Sequence, residues 1–220
     1  MQRERSFTSF IFNSIMKYSR EYILRRAFDV FMNKGYDSAS ISVLQEELQM
    51  SRGALYRYFK NKEELFNAVI DEYFFKIFDK LQHNMDKHTY SLEKFIEVMH
   101  RRQKIFVNAF TRAGVTHTIF LNYTALVIQA GKHYPNFLER FKIINNRSLE
   151  SWKDAMRNSI KAGEIKDDID IDILAILFNN TSVKETSDRD CNDSSFAINV
   201  MQDMNRRMEV MRYLYSLIKV

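Results

Sequence analysis

The chain has 220 residues, 45% of them hydrophobic, with 18 Phe, 11 Tyr and 11 Met but 5 Gly and 1 Pro. That length can bury a sizeable core in one or two domains, and few breakers beside long periodic runs point to an all-helical fold. A single cysteine, Cys191, excludes an intrachain disulfide framework and a Cys-based zinc site, and no apolar run reaches the ~18–20 residues of a membrane span, so a cytoplasmic setting is expected.

The formal charge of +5 is unevenly placed. Residues 1–62 hold 11 Lys/Arg against 6 Asp/Glu, whereas residues 63–220 hold 22 of each. This is the footprint of a small nucleic-acid-binding domain joined to a neutral one, although a solvated basic surface would give the same count.

In chain order, residues 1–18 read as a loosely ordered arm, and Met16 is a second candidate start. Ser19 can cap a helix from Arg20 to Asn33, with Ile23, Ala27, Val30 and Phe31 inward and Gly35 ending it. Ser40 or Ser42 can cap a short helix with the stripe Ile41, Leu44 and Leu48, and Ser42 has Gln45 at capping-box spacing. Ser51 caps a second short helix, and Asn61 with Glu64 opens a long one at Lys62. The apolar stripe Phe66, Val69, Ile70, Tyr73, Phe74, Ile77 and Leu81 runs on without Gly or Pro, so this helix should join two domains as one rigid element.

Further helices are expected from Ser91 to about Ala113, from Thr116 to about Lys132, from Pro135 to about Ala162 and from Asp170 to about Asn180. The third quarter's Ile119, Phe120, Tyr123, Leu126 and Val127 suggest a central helix. Residues 181–195 are polar and turn-rich, hence a loop. The last helix, about 195–219, carries Met201, Met204, Met208, Met211, Tyr215 and Ile218 at alternating steps of three and four. This heptad seam suits packing against another helix, in this chain's core or in a partner chain, and the latter is expected.

Two short helices joined by about three residues suit insertion into a DNA major groove. The second presents Arg52 and Arg57, which can read guanine edges, and Tyr56, Tyr58 and Lys62, which with Ser40 and Ser51 can hold phosphates. Gly53 and Ala54 let the backbone come close.

Ile23-Leu24, Ala27-Phe28, Phe31 and Gly35-Tyr36, then Ser51-Arg52-Gly53-Ala54-Leu55-Tyr56-Arg57-Tyr58-Phe59-Lys60-Asn61-Lys62-Glu63-Glu64-Leu65, resemble the DNA-binding domain of the tetracycline-repressor family over about residues 19–66. Beyond it only length, helical character and Gly163-Glu164-Ile165 followed by Asp170 are similar. Gln45 stands where a small Ala is common, and Gln49 stands in the turn where Gly is common. The resemblance implies an arm (1–18), a helix-turn-helix domain (19–64) and a larger helical ligand-binding and dimerisation domain (65–220). It also implies a homodimer on double-stranded DNA, released from a palindromic operator by an unidentified small apolar or amphipathic effector.

Met99, His100, Phe106, Phe110, His117, Phe120, Tyr123 and Trp152 are the candidate pocket residues, although core packing accounts for the aromatic ones equally well. No His-x3-His pair or carboxylate cluster at ligand spacing accompanies His100, His117 and His133, so no metal and no cofactor are expected. Phosphate loops, nucleophile elbows and zinc motifs are absent from the sequence, and nothing in it argues for catalysis. The rival readings are a helical enzyme or carrier with an incidental basic helix pair, and a DNA binder without a ligand.

Overall fold

The computed structural model describes residues 18–83, 89–112, 114–181 and 196–220. The expected arm and nearly all of the 181–195 loop lie outside these residues. The described chain forms α1 (Arg20–Ser38), α2 (Ile41–Leu48), α3 (Arg52–Tyr56), α4 (Lys62–Ile70), a π-helical turn (Asp71–Phe75) and α5 (Lys76–His83). It continues with α6 (Leu92–Arg112), α7 (His117–His133), α8 (Phe137–Lys161), α9 (Ile171–Asn180) and α10 (Phe196–Ile218). Among the described residues there is no strand, only an isolated bridge between Ile165 and Lys219. None of these helices is long and apolar enough to cross a membrane. The contacts form two compact units, one of the chain up to Phe78 plus Asn122–Phe137, the other of Asp79–Leu121 plus Leu138–Val220.

In the first unit, capping serines set the short helices. Ser19 Oγ accepts the Tyr22 N–H, Ser40 Oγ accepts Val43 N–H, and Ser51 Oγ accepts Ala54 N–H, each answering an orphan donor of a helix start. Ser40, with ψ of 163°, is thus the cap of α2, and Ser42 is not. The core is Ile23, Leu24, Ala27 and Phe31 of α1, Leu44 and Leu48 of α2, and Leu55, Phe59, Leu65 and Phe66, all buried. Phe31 meets Phe66 edge-on at 5.0 Å.

Gln49, which ends α2, takes φ 54° and ψ 40°. The turn therefore does need the left-handed conformation, and a side chain with a Cβ is strained there. Gln49→Gly should raise stability by roughly 0.5–1 kcal/mol, the strain relieved less the extra entropy of an unfolded glycine. A urea midpoint that rises at unchanged slope is the expected reading.

The stretch from Lys62 to His83 is helical throughout, but not uniformly so. The π turn at Asp71–Phe75 holds Phe74 and Phe75, both buried, against each other at 5.1 Å and against Phe137 at 5.5 and 5.3 Å. A regular helix turns successive side chains about 100° apart, so two adjacent large residues cannot both lie centrally on one buried face; the wider turn eases that conflict. It is the feature a plain 3.6-residue reading of the stripe overlooks.

The second unit is built on α6, α8, α9 and α10. Trp152 is fully buried, edge-on to Phe95 at 4.6 Å and stacked on Phe178 at 5.2 Å. Met208, Met211, Tyr215 and Ile218 belong to the same core cluster, and Met204 is also buried. This corrects the expectation for α10: the heptad seam faces the chain's own core, where a continuous apolar stripe removes the most surface from water. Only Met201, at its start, is half-buried.

A polar clasp closes this unit. Tyr215 Oη donates to Glu164 Oε1 at 2.6 Å, Ser159 Oγ donates to Glu164 Oε2 at 2.8 Å, and Leu92 N–H donates to Ser159 Oγ at 2.7 Å. Burial alone would raise the Glu164 carboxyl pKa, but the hydrogen bonds from Tyr215, Ser159, the Glu93 N–H and Ser91 together outweigh it and hold it below its ordinary 4.5. A depressed folded pKa gives stability that is complete above the unfolded value and is lost as pH falls through the folded one. Acidification below about pH 4.5 should therefore destabilise the native protein more than Glu164→Gln, whose side chain does not titrate there. Parallel denaturation curves across that range would show the carboxylate has no such role.

Candidate nucleic-acid interface

Helix α3 is short because its two ends are fixed within five residues: Ser51 caps the start, and Leu55 and Phe59 anchor the far side in the core. Arg52, Gly53, Tyr56 and Arg57 are left exposed on the other side, and Ala54 is half-buried. The Arg52 guanidinium lies 5.5 Å from the Tyr56 ring centre, which steadies a long side chain without neutralising it. A Cβ built on Gly53 would have no atom within 4 Å, so nothing inside the protein requires glycine there.

Tyr58 and Lys62 behave differently. The Tyr58 hydroxyl donates to the Tyr18 carbonyl, and the Tyr18 hydroxyl donates to Gln49 O at 2.8 Å, tying the residue before the Ser19 cap to the turn. Lys62 Nζ donates to Tyr36 O at 2.9 Å and sits 4.1 Å from the Tyr36 ring centre. The serine oxygens of Ser40 and Ser51 accept backbone N–H groups, leaving each hydroxyl proton for another partner. The structure thus gathers Ser51, Arg52, Gly53, Tyr56 and Arg57 at one exposed helix, and engages Tyr58 and Lys62 within the fold.

The helix-turn-helix is braced from α7. Gln129 Oε1 accepts the Tyr36 N–H at 2.6 Å, and the His133 ring stacks on Tyr36 at 4.1 Å. Gly35, at φ 73° and ψ 168°, brings the chain so close that a Cβ would stand 2.8 Å from Gln129 Nε2. Tyr123 Oη donates to Tyr73 O at 3.2 Å, and Tyr73 stacks on Phe28 at 4.4 Å. Neither Gln129 nor His133 was singled out for this role from the sequence; a glutamine within an otherwise apolar run is the only local sign.

The family model for bacterial regulatory proteins, tetR family, matches residues 23–69, which are the helices just described. Residues 23–69 thus match the DNA-binding domain of the tetR family. The HTH-type transcriptional repressor KstR2 of Mycolicibacterium smegmatis is 21% identical over 166 residues, 74% of this chain and 75% of that protein. Among solved structures, KstR2 of Mycobacterium tuberculosis, a ketosteroid transcriptional regulator, aligns with a TM-score of 0.54 at 16% identity, covering 91% of this chain and 95% of that one. FadR of Bacillus subtilis, in complex with stearoyl-CoA, aligns at 0.52 with 15% identity, covering 88% and 97%. These likenesses place the TetR-like fold over most of the chain, beyond the matched domain.

The pocket candidates fall in different places. Trp152 is in the second unit's core and Met99 packs against it. His100 is half-buried, and burial, with Arg212 and Lys104 nearby, pushes its pKa down. His117 is half-buried and Phe120 exposed. Tyr123 belongs to the first unit, where burial pushes its phenol up to about 12. The side chains of Phe106 and Phe110 lie outside the described residues. Among the described residues no group of three or more His, Cys, Asp or Glu is placed to hold a metal ion.

Proposed function

We propose that this chain is a dimeric, DNA-binding transcriptional repressor whose hold on a palindromic operator is released by a small apolar or amphipathic effector. The observation that carries the DNA-binding part is the exposed row Arg52, Gly53, Tyr56 and Arg57 on a capped helix inside the domain matched by the family model. Arg52 and Arg57 read bases, while Tyr56 and the serine hydroxyls of Ser40 and Ser51 hold phosphates. The repressor names of the relatives and the acyl-CoA bound to FadR support control by a ligand.

Two copies are needed to span half-sites about 34 Å apart, and a self-complementary surface must join them. With the methionine seam buried, that surface is the outward side of α9 and α10. Lys166 N–H, five residues before α9, donates to Ile218 O at 2.9 Å, and Arg207 Nη2 donates to Asn179 O at 3.4 Å, so each end of α9 comes near α10. Ile173, Ile176 and Leu177 on one, and Tyr213 and Leu217 on the other, are 47–64% exposed. Large apolar side chains left in water along a helix mark a contact surface.

Helix α7 has residues in both units, as does the stretch from Lys62 to His83. Effector binding therefore reaches Gln129, His133 and Tyr36 through continuous helix, and alters how the helix-turn-helix is held. Duplex binding at two salt concentrations tests the reading. Strong weakening with salt and tighter binding to one sequence are expected; salt-insensitive or absent binding contradicts it.

A further inference from the structure

Two hydrogen-bond donors are buried in the second unit without an acceptor among the described residues: Trp152 Nε1–H and Arg207 Nε–H. Trp152 is wholly inaccessible, and among the described residues the Arg207 guanidinium makes one hydrogen bond, the 3.4 Å bond from Nη2 to Asn179 O. None of the ion pairs among the described residues involves Arg207, and burial lowers its pKa with no carboxylate opposing that shift. Both residues lie near the C-terminal end of α9: the indole stacks on Phe178, and the guanidinium donates to the carbonyl of Asn179, the next residue. One turn before Trp152, Ser148 Oγ–H donates to Asn179 Oδ1 at 2.7 Å, and Asn179 Nδ2 donates to Asn145 Oδ1 at 3.2 Å. These polar neighbours are thereby occupied with one another and do not serve the two donors.

A half-buried cation with no carboxylate partner is disfavoured, and an unsatisfied buried N–H is costly. Arginine as a helix C-cap accounts for the Nη2 contact alone and leaves Nε and the indole unexplained. We infer that Arg207 and Trp152 form the head-group site for an anionic amphiphile, a carboxylate or phosphate on an apolar tail. The charge binds the guanidinium and the indole N–H, while Phe95, Phe178 and Met208 of the surrounding core receive apolar atoms. This inference deepens the effector reading above and rests on it for its regulatory meaning.

Trp152 is the only tryptophan, so its emission reports the site directly. The full chain is titrated with decanoate, decyl phosphate and decanol, which share a tail and differ in head group. The anions should shift Trp152 emission and bind at least about tenfold tighter than decanol, the factor of one charge-assisted hydrogen bond. Whichever of decanoate and decyl phosphate binds tighter identifies the head group. Arg207→Gln should lose that preference while keeping decanol affinity. If that variant does not fold by circular dichroism, Arg207→Lys should keep a reduced preference. Equal binding of anion and alcohol by the native chain, or no binding of any of them, overturns the head-group site and leaves operator binding standing. Tight anion binding that does not change operator affinity keeps the site and overturns its role as effector.

Discussion

Glutamate at both Met204 and Met208 is expected to unfold the second unit, whereas glutamate at both Ile176 and Leu217 is expected to leave a folded monomer. Three of the four residues lie on α10 and Ile176 on α9, and the two pairs differ in burial. Met204 and Met208 are buried against the core that holds Trp152, so a carboxylate there loses its water without gaining a partner. That costs on the order of several kcal/mol per site, against a total stability of about 5–15 kcal/mol. Ile176 and Leu217 are 49% and 51% exposed, so a carboxylate there stays hydrated in the isolated chain. It is desolvated only when a second copy covers it, and two copies bring four added charges together. Circular dichroism with sedimentation separates the outcomes. A folded dimer from the Met204/Met208 pair would return the seam to the interface.

The next largest effect is expected at α3. Gly53 is exposed, in a helix, and without a neighbour for a Cβ, so Gly53→Ala should stabilise the free protein slightly, by up to about 1 kcal/mol. The same methyl group should weaken DNA binding strongly if the helix backbone lies against a phosphate or base edge. Stability and affinity then move in opposite directions, which no general loss of folding can imitate. Arg52→Ala and Arg57→Ala should each cost about 1–3 kcal/mol on the preferred sequence and relax preference at one base position. Tyr58→Phe and Lys62→Ala should instead act mainly through the fold, since they remove the bonds to Tyr18 and Tyr36. Duplex titrations paired with urea midpoints separate these two classes.

The first unit's short helices were readable because their signals are local. A serine oxygen three residues before an N–H, or Asn61 Oδ1 before Glu64 N–H at 2.8 Å, is fixed by spacing alone. Of the Asn61–Glu64 box only this half forms as written; Glu64 Oε2 reaches back to Lys60 N–H at 2.7 Å instead. The left-handed turn at Gln49 was likewise marked in advance by a residue standing where glycine is common.

What the sequence does not carry is which surface a stripe meets. The α10 seam has the spacing of an interface and the burial of a core, and spacing is the same for both. Helix α7 has apolar residues on most faces, as a central helix would, yet Ile119, Leu121 and Ile128 are exposed and only Leu126 and Ala130 are buried. Its contact with Tyr36 spans 93 positions, a separation at which no local pattern operates. The pocket residues suffered the same limit, since an aromatic residue fills a core or lines a cavity with equal ease.

The central claim is that one chain holds both an operator and an effector and that each weakens the other. Linkage requires the coupling to be reciprocal: the factor by which effector lowers operator affinity equals the factor by which operator lowers effector affinity. The decisive measurement is the full set of four affinities, for decanoate with and without a duplex carrying the preferred sequence, and for that duplex with and without decanoate. Equal reductions, in the range of about 5–150-fold, are predicted. Tight binding of both partners with neither affinity changed by the other would contradict the account.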